Sequence, residues 1–133
     1  MKKLALAALC AVFVTSQACA NVFITVKNES TEDCSVAFHA RIDKTKWLTV
    51  GWYVFASGEE APVILDKVND IHDVFVYHDC PRSIKPEDET KKAWVLENRK
   101  FIDEVSREKE SGYVEKIFVR LSGDKFIISG PSS

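Results

Sequence analysis

The sequence predicts an all-β fold, an antiparallel β-sandwich or small open barrel stapled by one disulfide, and three observations predict it. Apolar and polar residues alternate with a period of two in several short runs. Turn residues interrupt those runs at close intervals, with no internal repeat and no low-complexity tract. The densest hydrophobic stretch, Trp47 to Phe55, is aromatic and β-branched, a composition that suits strands.

The first element in chain order is a leader. Met1-Lys2-Lys3 is a basic opening, Leu4 to Val14 carry no charge, and Ala18-Cys19-Ala20 is a small-x-small box. That order is an export signal and predicts cleavage after Ala20. The apolar run is shorter than the roughly 20 residues that span a bilayer, and nothing later in the chain supplies a transmembrane anchor. Lipid attachment at Cys19 is the alternative outcome, yet Ser16-Gln17-Ala18 lacks the leucine that such a box normally carries. Residues 1–20 are therefore read as signal, and residues 21–133 as a single β-rich domain of the periplasm or cell exterior.

In the first strand Val22, Ile24 and Val26 alternate with Phe23, Thr25 and Lys27, and Asn28-Glu29-Ser30-Thr31 ends it. A second strand, Cys34 to Ile42, puts Cys34, Val36, Phe38 and Ile42 on a core face and Ser35, His39 and Arg41 on an outward one. Asp43 to Lys46 is a polar turn. Trp47 to Phe55 is the third strand, and Gly51 inside it marks a bulge or a close backbone approach. Val63 to Leu65, after Pro62, and Val74 to Cys80, ended by Pro81, are the fourth and fifth. Arg82 to Lys92 is charged and reads as an exposed loop.

Residues 93–106 stay open between a hairpin and a short helix. Trp94, Phe101 and Val105 lie near helical spacing, while Trp94-Val95-Leu96 and Phe101-Ile102 suit two strands. No N-cap residue closely precedes a helix, which favours strands. Tyr113, Ile117, Val119 and Leu121 then form the apolar set of another strand, and Ser122-Gly123-Asp124 turns into the last, Lys125 to Ser129.

Composition narrows the partners. The chain has 18 Lys and Arg against 20 Asp and Glu, and loss of Lys2 and Lys3 with the leader takes the formal charge from −2 to −4. An acidic domain is poorly suited to nucleic acid, whose backbone attracts clustered cations. Of the 4 cysteines, Cys10 and Cys19 belong to the leader, which leaves Cys34 and Cys80. An even pair in an exported chain predicts a disulfide, worth about 4 kcal/mol in the chain-entropy model.

The order of motifs is similar to a known family. An Asn-x-Ser turn follows the first strand; then come Trp47, Gly51-Trp52-Tyr53 and Gly58-Glu59, and later Trp94, Lys100-Phe101-Ile102, Gly112-Tyr113 and Phe118. This resembles the bacterial exported-protein family catalogued as domain of unknown function 1036, over most of residues 21–133. Where that family tends to carry a cysteine after its Gly-Glu, this chain has Glu60. The resemblance implies a β-rich exported domain and assigns no catalytic residues.

Candidate sites are few. His72, Asp73, His78 and Asp79 carry metal-ligating groups close in sequence. His72 and His78, however, are about 20 Å apart along an extended strand, so they are weak metal candidates and no metal or other cofactor is expected. Cys80 beside His78 and Asp79 suggests a nucleophile, which a disulfide to Cys34 would remove. No Gly-x-Ser-x-Gly elbow, phosphate loop or HExxH motif is present, and no enzymatic activity is expected. In the third strand Trp47, Tyr53 and Phe55 share one parity. Trp52 shares the other with Leu48, Val50 and Val54, which favours it as the core residue and leaves Trp47 and Tyr53 as candidate ligand-binding platforms. The alternative, which the small core favours, is that both faces are covered and all four aromatics are core.

Two functional expectations follow. The first is a non-enzymatic periplasmic or secreted protein-interaction module, an inhibitor or immunity-like partner. The second is a small-ligand or glycan-binding module using Trp47 and Tyr53. A metal-dependent hydrolase around His72 and His78 stands behind both.

Overall fold

The computed structural model describes residues 21–129; residues 1–20, on which the expected export signal, its cleavage box and Cys19 fall, lie outside them. The strands are β1 Asn21–Asn28, β2 Cys34–Arg41, β3 Trp47–Phe55, β4 Glu60–Asp66, β5 Val74–His78, β6 Thr90–Leu96, β7 Phe101–Asp103, β8 Tyr113–Arg120 and β9 Lys125–Ile128. A 3-10 turn, Ile71–Asp73, precedes β5, and the described residues contain no α-helix.

A small sheet has the order β4-β1-β9 and a large one the order β6-β8-β5-β2-β3-β7. Pairing is antiparallel except between β1 and β9, which run parallel. The large sheet curls into a half-barrel. Its first strand in that order, β6, returns to within hydrogen-bond reach of β3 near the other end, where Trp52 Nε1 donates to Leu96 O at 2.8 Å. The predicted sandwich or open barrel is thus a sandwich whose larger sheet is itself partly rolled.

This roll gives the large sheet two buried faces. The outer face packs against the small sheet through Val36 and Phe38 of β2, Val74 and Val76 of β5, Ile24 and Val26 of β1, and Val63 and Leu65 of β4. The inner face encloses Ala37, Phe75, Ala93, Val95, Phe101 and Phe118. Cys34 and Cys80 form the predicted disulfide at the margin of the outer core, with Cα atoms 5.5 Å apart. Next to it the turn after β1 is a buried polar knot. Asn28 Nδ2 donates to Phe55 O at 2.9 Å and Glu32 O at 2.7 Å, and Asn28 Oδ1 accepts from the Ser30 hydroxyl at 2.7 Å. Each buried polar group there has a partner, as burial requires.

Several expectations need correction. Residues 93–106 are neither a helix nor a hairpin: β6 pairs with β8 and β7 with β3, at opposite ends of the sheet. Strand β6 starts at Thr90, inside the stretch read as a loop. In β8 it is Phe118 that is buried while Ile117 is exposed, because the inner face draws on the other parity. His39, assigned outward, is buried at 8% exposure, since the face opposite Phe38 is covered by the sheet's own curl.

The largest correction concerns β3. Val36 pairs with Tyr53 but Ala37 pairs with Gly51, so Trp52 is the extra residue of a β-bulge. A bulge of one residue reverses the parity of everything after it. Leu48 and Val50 before it, and Tyr53 and Phe55 after it, all meet the outer core, while Val54 is exposed. Trp52 therefore leaves the aliphatic company assigned to it and packs on the inner core, edge-on to Tyr77 and Phe101. Gly51 is the close approach: a Cβ there would lie 3.0 Å from the Phe101 ring and 3.1 Å from Ala37 Cβ.

Candidate binding site: the mouths of the curled sheet

The inner face is plugged by phenylalanine and valine and opens at both ends. One mouth is built by β2, β3 and β6. The turn Asp43–Lys46 fixes the β2–β3 register so that Arg41 faces Trp47 and His39 faces Thr49. His39 Nδ1 lies 2.8 Å from Thr49 Oγ1, and its ring stacks on Trp47 with centroids 4.8 Å apart. Burial first, and the Lys91 ammonium second, hold His39 down at about 4, so it is neutral near pH 7. Two cations also engage Trp47: Lys91 Nζ at 4.5 Å and Arg41 Cζ at 5.1 Å from the ring centre.

Beyond Thr49 on the same face is Asp103 of β7, its cross-strand partner. This buried carboxylate accepts from the Tyr113 hydroxyl at 2.9 Å and lies 3.4 Å from Arg107 Nε. A cavity of about 520 Å³ fills this mouth, with Lys46, Lys91, Lys92 and Trp94 on its walls. The row His39, Thr49, Asp103 places the hydroxyl between imidazole and carboxylate. In a nucleophile–base–orienter chain the imidazole stands in the middle instead.

The opposite mouth holds a cavity of about 670 Å³ between Trp52 and Tyr77. Arg82 Cζ and Lys116 Nζ lie over the Tyr77 ring at 4.6 and 5.7 Å. Its charges are mixed: Arg99, Lys100 and Lys116 face Asp79 and Glu97 across it.

The structure separates the residues singled out in the sequence. Trp47 stands at the first mouth, whereas Tyr53, beyond the bulge, faces the outer core and packs edge-on against Phe38. The two aromatics do not form a common platform. Tyr53 instead lines a groove of about 190 Å³ with Leu48, Ile64 and Ile102, at the seam where β4 and β7 come together. Burial first, and Asp66 second, raise its phenol above the ordinary value.

His72 and His78 are also apart. His72 is 83% exposed and its Nδ1 sits 3.0 Å from Asp70 Oδ1. His78 is buried at the other end of β5, accepts from the Cys80 amide at 3.2 Å and packs against Phe126. Burial, then Arg82, push His78 down to about 4, against the opposing pull of Asp79. No cluster of three or more His, Cys, Asp or Glu suited to a metal ion occurs among the described residues. Cys80 is engaged in its disulfide and offers no thiol.

Sequence reasoning missed Thr49, Lys91, Lys92 and Trp94. For Thr49 a signal existed: a hairpin closed by Asp43–Lys46 places it opposite His39. The others reach the mouth only because β6 returns to β3, a long-range pairing with no local mark. Compared with known proteins, the chain matches no family model, no curated protein and no solved structure.

Proposed function

We propose that this chain is a non-catalytic binding module of the periplasm or cell exterior, which engages a protein partner in the manner of an inhibitor or immunity protein. The observation that carries the reading is the apolar seam between the two sheets. Phe23 of β1 and Ile64 of β4 are cross-strand partners, exposed by 59% and 49%. Ile64 shares the Tyr53 groove with Ile102 of β7, exposed by 68%. Tyr53, Ile64 and Ile102 form an apolar groove rimmed by Asp66, Lys67 and Glu104, with Phe23 exposed beside Ile64 on the next strand, and grouped exposed apolar residues mark a contact surface.

The partner we propose presents an extended apolar segment. Strands β4 and β7 each have one neighbour, so both leave a backbone edge facing the groove region. An added strand takes its hydrogen bonds from such an edge and its specificity from the side chains beside it. The residue order that resembles the exported family agrees with that location and assigns no site. The leader, read as an export signal, belongs to the same proposal.

The test is capture from periplasmic extract by the immobilised domain, residues 21–133, with two charge-introducing variants. A stoichiometric protein retained by the wild type and lost by Phe23→Asp and Ile102→Asp is the expected result. Both positions are exposed, so the thermal midpoint should hardly move. Capture that is indifferent to both substitutions, or absence of any stoichiometric partner, overturns the reading.

A further inference from the structure

Independently of the seam, we propose that the mouth at Trp47 and Trp94 binds a carboxylate-bearing sugar. The first observation is charge. Lys46, Lys91 and Lys92 line this cavity, and among the described residues none of the three forms an ion pair. The carboxylate on the cavity wall, Glu104, is taken by Lys67 at 2.7 Å. Asp103, behind Thr49, is taken by Tyr113 and Arg107. Lys46 also acts on Glu104, so Lys91 and Lys92 are the ammonium groups left without a carboxylate partner at this hollow, in a chain of formal charge −2. An anion relieves their mutual repulsion.

The second observation is the wall itself. Trp94 is half-buried, and no ring or cation is stacked on it among the described residues, whereas Trp47 already carries His39, Lys91 and Arg41. An indole on a cavity wall is a platform for the apolar side of a ring. The third is a neutral polar contact. Every fully buried side-chain nitrogen or oxygen in the described residues has a partner. His39 lines the cavity, and among the described residues its Nε2 has no hydrogen-bond partner. Thr49 fixes the ring, and Nε2 offers one hydrogen bond of either sense to a hydroxyl.

Cations, an indole on the wall and an imidazole fixed by Thr49 select an anion that also has a ring and hydroxyl groups. A cavity of about 520 Å³ lies within the range of small-molecule sites and holds one or two sugar rings.

Calorimetric and tryptophan-fluorescence titration of the disulfide-intact chain tests this. The probes are digalacturonate and sialyllactose as acidic sugars, the methyl ester of digalacturonate as the neutral control, and succinate as an anion without a ring. Expected are saturable binding of an acidic sugar, and affinities at least about tenfold weaker for its neutral ester and for succinate. Lys91→Gln and Lys92→Gln should each weaken that binding by about three- to tenfold, and Trp94→Ala by about tenfold. Lys116→Gln, at the other mouth, should leave it unchanged, and unaltered thermal midpoints confirm that the variants are folded. Equal binding of acid and ester, equal binding of succinate, or no saturation by either acidic sugar up to about 10 mM overturns the proposal.

Discussion

The outer and inner cores share the strands of one sheet and are built to different rules. The outer core is predominantly aliphatic, lies between two sheets and has the disulfide at its margin. The inner core is mostly aromatic, carries His39, Thr49 and Asp103 on the same face, and opens to solvent at both ends. Closure on all sides lets aliphatic packing supply stability, while an open-ended hollow leaves room for polar groups that need partners and access. The comparison therefore sets a closed, mainly aliphatic core against an open-ended one that carries polar groups.

The largest effect that can break this division is a pair of core truncations. Phe38 in the outer core and Phe118 in the inner core are both fully buried. Phe38→Ala should cost about 4 kcal/mol in chemical denaturation, and Phe118→Ala about 3 kcal/mol, because water entering from a mouth can fill part of the space it leaves. An inner truncation as costly as the outer one would show that the two cores are equally closed.

A pH series sharpens the comparison next, since each face buries one histidine. His39 and His78 both titrate near 4 when folded, below the ordinary 6.5. The unfolded chain then binds more protons between those values, so the histidine contribution falls as pH drops from 6.5 to about 4 and levels off below, where Asp70, Glu89 and Glu104, held below the ordinary carboxylate value, take over the loss. Each histidine contributes on the order of 3 kcal/mol to that fall. His39→Gln should halve the slope measured by denaturant titration across this window. An unchanged slope would mean that His39 is protonated in the folded chain.

The smallest effect is local to the inner face. Thr49→Val keeps the shape and removes the hydroxyl at His39 Nδ1, at a cost of about 1 kcal/mol. The His39 imidazole resonances should shift in NMR while those of His78 stay in place. Equal movement of both would locate the change in the whole sheet.

These contrasts also explain what was legible beforehand. Strand β3 falls on Trp47–Phe55 as its composition indicates, and Cys34 pairs with Cys80 as their even number suggests. Period-two alternation distinguishes two faces but not whether the second is covered, which is why His39 was placed outward. The bulge at Trp52 changed the meaning of every residue after it, and Gly51 was its visible sign in the sequence. Of the candidate site, Trp47 was legible. The lysines of β6 were not, because their convergence depends on the sheet order.

The approach at Gly51 also has a consequence for the width of the hollow. A methyl group there would act as a wedge, pressing on the Phe101 ring on one side and on Ala37 on the other. The bore of the half-barrel is thus calibrated by a missing side chain. Because Trp52 follows directly and ties β3 to β6, a change of calibre at that point would be felt first at the aperture that Trp52 lines.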